Sequence, residues 1–313
     1  MKKILAFGPL YIVIAELLLN FDGFLRIKLS ALPPTVIVFY EHALGAIVLI
    51  FLVALWFKDL KKMTKKEWIA ITLVSLFSGA LGTIFYTAAL ANIHYSQYSV
   101  VVLLQQMLQP IWAIGAAAIL LKEKVTKKFL MWAALALVAA YFIAFKNLEV
   151  NLATGAGTAL AGILALSAGF MWGTSTAISK IVLNRVNFLT GTALRFYIAP
   201  IFAFLFIVFQ GQTHAMVTVM PIQWLMLIGI TFTSGLVSLG FYYYGLKKTP
   251  ARITTLCELT FPASAIFIDY FYFHNSLSIT QILGVVILLV AIFQVTKPLQ
   301  EKAAEVGEKT TKK

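Results

Sequence analysis

The chain has 313 residues, of which 61% are hydrophobic, 14% aromatic and only 12% charged, more apolar side chain than a soluble domain carries, so it reads as a membrane protein. A formal charge of +13 would fit a nucleic-acid binder, but the basic residues gather in alternate loops and not on one face, which excludes that class. The lone cysteine, Cys257, excludes a disulfide framework and a thiolate metal site and reads as packing.

Breaks at charges and turn residues predict ten apolar segments near 4–26, 34–57, 67–91, 97–121, 129–146, 157–181, 188–210, 222–246, 252–273 and 280–296. Each has roughly 17 to 25 residues, enough at ~1.5 Å per residue to cross a ~30 Å hydrocarbon core. The first is too long for a secretory signal and carries Glu16 and Asp22, so it is expected to be retained. Lysine and arginine number 21 in one set of loops against 3 in the other, with Arg195 inside a span, which predicts both termini in the cytoplasm.

Taken in order, the first span holds the stretch "IAELLLNFDGF". At 100° per residue, Glu16, Asn20 and Gly23 share a face and Asp22 points elsewhere. Asp22, near the outer end, stands four residues before Arg26, the spacing of a local ion pair. Glu16 has no such neighbour, and reads either as a hydrogen-bonded packing acid or as a protonatable site for proton-coupled antiport. The second span carries Glu41 and His42, the histidine either packing or relaying protons. The fourth carries Gln105, Gln106, Gln109 and Pro110; amides there offer donors and acceptors to a polar solute. Trp172 on the sixth span and Tyr242 on the eighth are candidate cavity aromatics. Arg195 on the seventh and Glu258 on the ninth fall at one depth and are expected to meet, directly or across substrate, as a lock or as a binding pair. Pro110 and Pro262 each remove a helix hydrogen bond and are either hinges or packing bends. Glycines 79, 82, 115, 155, 157, 169, 173 and 235 are expected to permit close helix approach.

The two halves repeat. Pro110 matches Pro262, Glu123 matches Asn275, "FYTAAL" from Phe85 matches "FYYYGL" from Phe241, and Gly23 matches Gly173 in "MWGTS". Five spans per unit is odd, so the second unit enters the membrane from the opposite side, and inverted repeats are a mark of secondary transporters with a midplane binding site. The expected organisation is a five-helix unit over 1–146, a linker over 147–156, its inverted copy over 157–296 and a charged cytoplasmic tail over 297–313: an all-α membrane protein of ten helices, five plus five.

Those matched motifs, with a mid-helix proline in each fourth helix and a short Glu/Lys loop before a small-residue fifth helix, resemble the drug/metabolite transporter superfamily, EamA type. The resemblance covers nearly the whole chain and implies solute transport by alternating access. Members export or exchange amino acids, drugs and other small metabolites.

The expected activity is therefore secondary active transport of a small organic metabolite or drug, by an exporter or exchanger, with protons as a coupling ion. An amino-acid-like zwitterion or a cationic drug would suit a cavity with Glu16, Glu41, Glu258 and Arg195. A channel-like facilitative carrier is the alternative. An intramembrane enzyme is disfavoured: H-E-x-x-H and G-x-S-x-G are absent, and the four histidines are scattered. No P-loop pattern is present, and no cofactor, catalytic residue or metal site is read. The expected setting is a bacterial cytoplasmic membrane, as monomer or homodimer.

Overall fold

The computed structural model describes residues 7–92, 98–148, 158–271, 274 and 276–311. Most of the expected linker lies outside the described residues, as do Gly155, Gly157, His94 and Asn275. Every element among the described residues is helical. Six helices are long and apolar enough to cross a membrane, seven if the pair Pro34–Ile50 and Val53–Lys62, bent by 86°, counts as one span. The protein is a multi-pass integral membrane protein.

In chain order, α1 is Gly8–Leu19 and α2 is Phe21–Ile27. Next come α3, Pro34–Ile50, and α4, Val53–Trp56, which runs on as a 3-10 turn over Phe57–Lys62. The third span is α5, Lys65–Val74, a π-helical stretch Ser75–Gly82, and α6, Thr83–Asn92. Then follow α7, Tyr98–Leu120, α8, Lys127–Ala144, α9, Thr158–Leu183, and α10, Phe188–Phe209. After the short α11, Thr213–Val217, the next span repeats the earlier pattern: α12, Pro221–Ile230, a π stretch Thr231–Val237, and α13, Ser238–Lys248. The chain closes with α14, Ala251–Glu258, α15, Thr260–Phe271, and α16, Ile279–Thr311.

Helix starts follow local chemistry. Thr64 and Glu67 form a capping box at α5, and Asn187 accepts the Thr190 N–H at 2.8 Å to cap α10. The two π stretches begin at matched places, Ser75 and Thr231, each ten residues before its Phe-Tyr pair. A wide turn leaves carbonyls off the regular ladder, ready for other donors.

Three expected continuous spans are broken. The first divides at Asn20, the second bends by 86° after Ile50, and the ninth divides at Leu259. Pro262 explains the break in the ninth: it has no N–H for the Glu258 carbonyl and its ring crowds that oxygen. Pro110 removes the same bond yet stays inside a continuous α7, so only one of the two prolines interrupts its helix.

The closest pairings are α7 with α9, α8 with α16, α1 with α13 and α3 with α10. A Cβ on Gly169 would lie 2.1 Å from the Gln105 carbonyl oxygen, and one on Gly173 2.6 Å from that of Gln109, so α9 lies backbone to backbone on α7. A Cβ on Gly115, expected to act likewise, would have nothing within 4 Å, while one on Gly8 or Gly245, not singled out in the sequence, would lie 2.8 Å from the other glycine's carbonyl oxygen. Gly169→Ala is expected to cost about 1–3 kcal/mol by overpacking, read as a lower Tm in detergent; an unchanged Tm would mean that the two helices part freely.

Candidate functional site

At the centre lies a cavity of about 940 Å³, its open mouth included. No described residue of α8 or α16 lines it, so that pair packs outside the ring of helices that does. Most of the polar and aromatic residues singled out in the sequence meet here: Glu16, Asp22, Arg26, Glu41, His42, Gln106, Gln109, Trp172, Arg195, Tyr242 and Glu258; Gln105 is not among the lining residues.

Asn20 does not line it. The amide instead donates to the Phe261 carbonyl at 3.1 Å and to Ser264 Oγ at 2.6 Å, at the start of α15 where Pro262 breaks the helix. It also donates to the Glu16 carbonyl at 3.2 Å, so it ties the break in the first span to the break in the ninth. Its place is set by these contacts between two helix breaks, which a helical wheel does not register.

The inner part of the cavity is organised around Glu258, at the end of α14. Its carboxylate accepts from Tyr242 Oη at 2.6 Å on α13, from Gln109 Nε2 at 2.5 Å on α7 and from Thr176 Oγ1 at 3.5 Å on α9. Gln105 donates in turn to Gln109, giving a hydrogen-bonded run of side chains between α7 and α14. Three donors offset much of the cost of removing a carboxylate from water.

Arg195 does not pair with Glu258. No ion pair joins them among the described residues. The guanidinium instead donates from Nη2 to the Ser78 carbonyl at 3.1 Å, inside the first π stretch. That oxygen also accepts from Trp172 Nε1 at 3.1 Å and Thr83 Oγ1 at 3.0 Å. The wide turn supplies a dipole that serves the arginine in place of the expected acid, and Nε is left without a partner among the described residues.

Toward α2, the expected local pair of Asp22 and Arg26 forms, but it is not a solvated rim contact. Arg26 is 2% exposed and Asp22 3%. Arg26 also reaches Glu41 on α3 at 2.7 Å and Thr87 on α6 at 2.9 Å, and Asp22 accepts from Ser234 in the second π stretch at 2.7 Å. Glu41 stands fifteen residues from Arg26 and on another helix, a contact that residue spacing does not predict. His42 sits beside this cluster with Nδ1 3.0 Å from the Val38 carbonyl and its ring against Phe196, the geometry of a packed histidine.

Aromatic surface completes the wall. The rings of Tyr86 and Trp172 lie 5.4 Å apart, and Phe196 and Phe261 also line the cavity. The hydroxyls Ser175, Thr176 and Ser179 on α9 went unnoticed in the sequence, although their spacing of one, three and four residues puts them on neighbouring strips of the helix. Such a cavity can stack a flat ring and satisfy several polar groups at once.

Comparison with known proteins agrees with the architecture. The EamA-like transporter family matches twice, over residues 7–145 and 159–297. Riboflavin transporter ImpX of Fusobacterium nucleatum subsp. nucleatum is 32% identical over 292 residues, covering 93% of this chain and 97% of that protein. An uncharacterized transporter, sll1164 of Synechocystis, is 24% identical over 285 residues, covering 84% and 78%. One crystal structure of a protein superposes with a TM-score of 0.69 at 14% identity over 91% of this chain and 95% of its own, a likeness of fold.

Proposed function

The chain belongs to the EamA-like transporter family, and on that premise we propose that it carries a flat heteroaromatic metabolite with a hydroxylated side chain, of the riboflavin type, by alternating access. The observation that carries the reading is the Tyr86–Trp172 pair set in one cavity with the amide of Gln109, the hydroxyls of α9 and Arg195, whose Nε has no partner among the described residues. A tricyclic ring stacks on such a wall, ring carbonyls accept from a guanidinium, and hydroxyls of the side chain exchange hydrogen bonds with amide and hydroxyl groups. The name of the 32% identical relative points to the same chemistry.

In this reading the two family repeats are inverted five-helix units, ten spans in all, with the termini in the cytoplasm of a cell whose cytoplasmic membrane holds the protein. The breaks at Asn20 and Leu259 divide two of those ten. The protein works as an exchanger or exporter driven by a gradient, with protons coupled through a cavity carboxyl.

Counterflow tests it. Liposomes holding the purified protein and loaded with unlabelled riboflavin are expected to accumulate labelled riboflavin transiently, and Trp172→Ala to weaken binding by about 5- to 150-fold, the loss of one stacking platform worth about 1–3 kcal/mol. Accumulation of amino acids but not of riboflavin would sink the proposed substrate class.

A further inference from the structure

One surface outside the cavity has no part in the transport reading. After Ile50 the chain turns by 86° into Val53–Lys62, a piece too sharply bent to continue the span. It is held in that attitude: Trp56 is buried and donates to the Leu49 carbonyl at 2.9 Å, Thr190 donates to the Trp56 carbonyl at 3.0 Å, and Asn187 donates to the Leu55 carbonyl at 3.3 Å. Yet Leu55 is 63% exposed and Phe57 55%. A helix turned across the span direction with bare apolar side chains followed by lysines has the form of one lying in the membrane interface.

The charge around it is unbalanced. Two acids stand in this stretch, and both are committed. Asp59 accepts from Lys62 at 2.5 Å and from the Asn187 N–H at 2.7 Å; Glu67 closes the capping box on Thr64 and meets Arg185 at 3.8 Å. Lys58, Lys61, Lys65 and Lys66 are exposed and have no carboxylate partner among the described residues. Beside them a shallow open groove runs along α5, lined by Lys65, Trp68, Ile69, Thr72 and Leu73. These residues follow the 3.6-residue period, so they lie on one face, ordered as ammonium, indole, then aliphatic side chains along the helix. A phospholipid presents the same order along the membrane normal: phosphate, ester region, acyl chain.

We propose that this groove and the lysines at its head bind an anionic glycerophospholipid, the phosphate held by Lys65 with Lys61 and Lys66 and one acyl chain lying against Trp68, Ile69 and Leu73. Net charge decides the choice of lipid. A zwitterionic headgroup brings its own cation to a site that has three already, whereas an anionic one neutralises them.

The test is equilibrium binding of acyl-labelled phosphatidylglycerol to the purified full-length protein in neutral detergent. Unlabelled phosphatidylglycerol is expected to displace the label and phosphatidylcholine to do so at least about tenfold less well. The variant Lys61→Gln with Lys65→Gln and Lys66→Gln is expected to weaken binding by about tenfold or more, and Leu73→Trp, which fills the groove and keeps every lysine, to weaken it as well. Both changes lie on exposed surface, and an unaltered Tm confirms that the fold survives them. Equal binding of the two lipids, no response to the lysine variant, or displacement by soluble glycerol phosphate as effective as by the lipid would each overturn the proposal.

Discussion

Arg26→Met is expected to lower the stability of the protein by about 3–5 kcal/mol, because it leaves the carboxylates of Asp22 and Glu41 buried without their cation. All three residues are at most 6% exposed, and Arg26 holds both acids at once. The cost is that of the acids left behind more than of the bonds lost. Neutralising the whole cluster, Arg26→Met with Asp22→Asn and Glu41→Gln, is therefore expected to recover most of the loss, since a buried charged triad replaced by neutral side chains of similar size is often tolerated. Thermal unfolding in detergent compares the variants. If the triple variant melts as low as the single one, the loss comes from the hydrogen bonds to Thr87 and Ser234 and from packing. If the single variant melts like the parent, Arg26 does not hold the two acids together.

The same cluster shows how far residue spacing can carry a reading. Asp22 and Arg26 were legible as a pair because four residues make one helical turn. That Glu41 completes the cluster was not, because the contact joins two helices across a connecting turn. Glu41, Glu258 and Arg195 were legible as cavity residues for a simple reason: a charged group inside an apolar span needs a polar place, and the bundle interior is the place available. Their partners were not legible. Arg195 takes a carbonyl exposed by a π turn, and neither the periodicity nor the composition of "SLFSGALG" marks it as π-helical. Asn20 illustrates the opposite failure, a correct wheel position on a helix that does not continue as an ideal rod. The paired prolines were equally visible, but whether a proline breaks its helix depends on its surroundings, and only beside Pro262 does the Asn20 amide donate to the backbone, at the Phe261 carbonyl.

Glu16→Gln is expected to abolish stimulation of transport by a pH gradient while leaving counterflow at equal pH close to that of the parent. Four carboxyls line the cavity, and three are engaged: Asp22 and Glu41 by Arg26, Glu258 by Tyr242, Gln109 and Thr176. Glu16 alone has no donor to its carboxyl among the described residues, and one of its oxygens is buried without a partner. A carboxyl held by a guanidinium or by three donors must give up those bonds to take a proton; Glu16 need not, and glutamine keeps its size while removing the proton site. Glu258→Gln makes the contrast. It turns an acceptor of three hydrogen bonds into an amide that matches its donors poorly, so counterflow itself is expected to fall by about tenfold or more, with or without a gradient. A Glu16→Gln protein that still responds to the pH gradient would remove Glu16 from the coupling step. Loss of the response in Glu258→Gln alone would move that step to the carboxyl with the most donors, where substrate and proton would compete for the same oxygens.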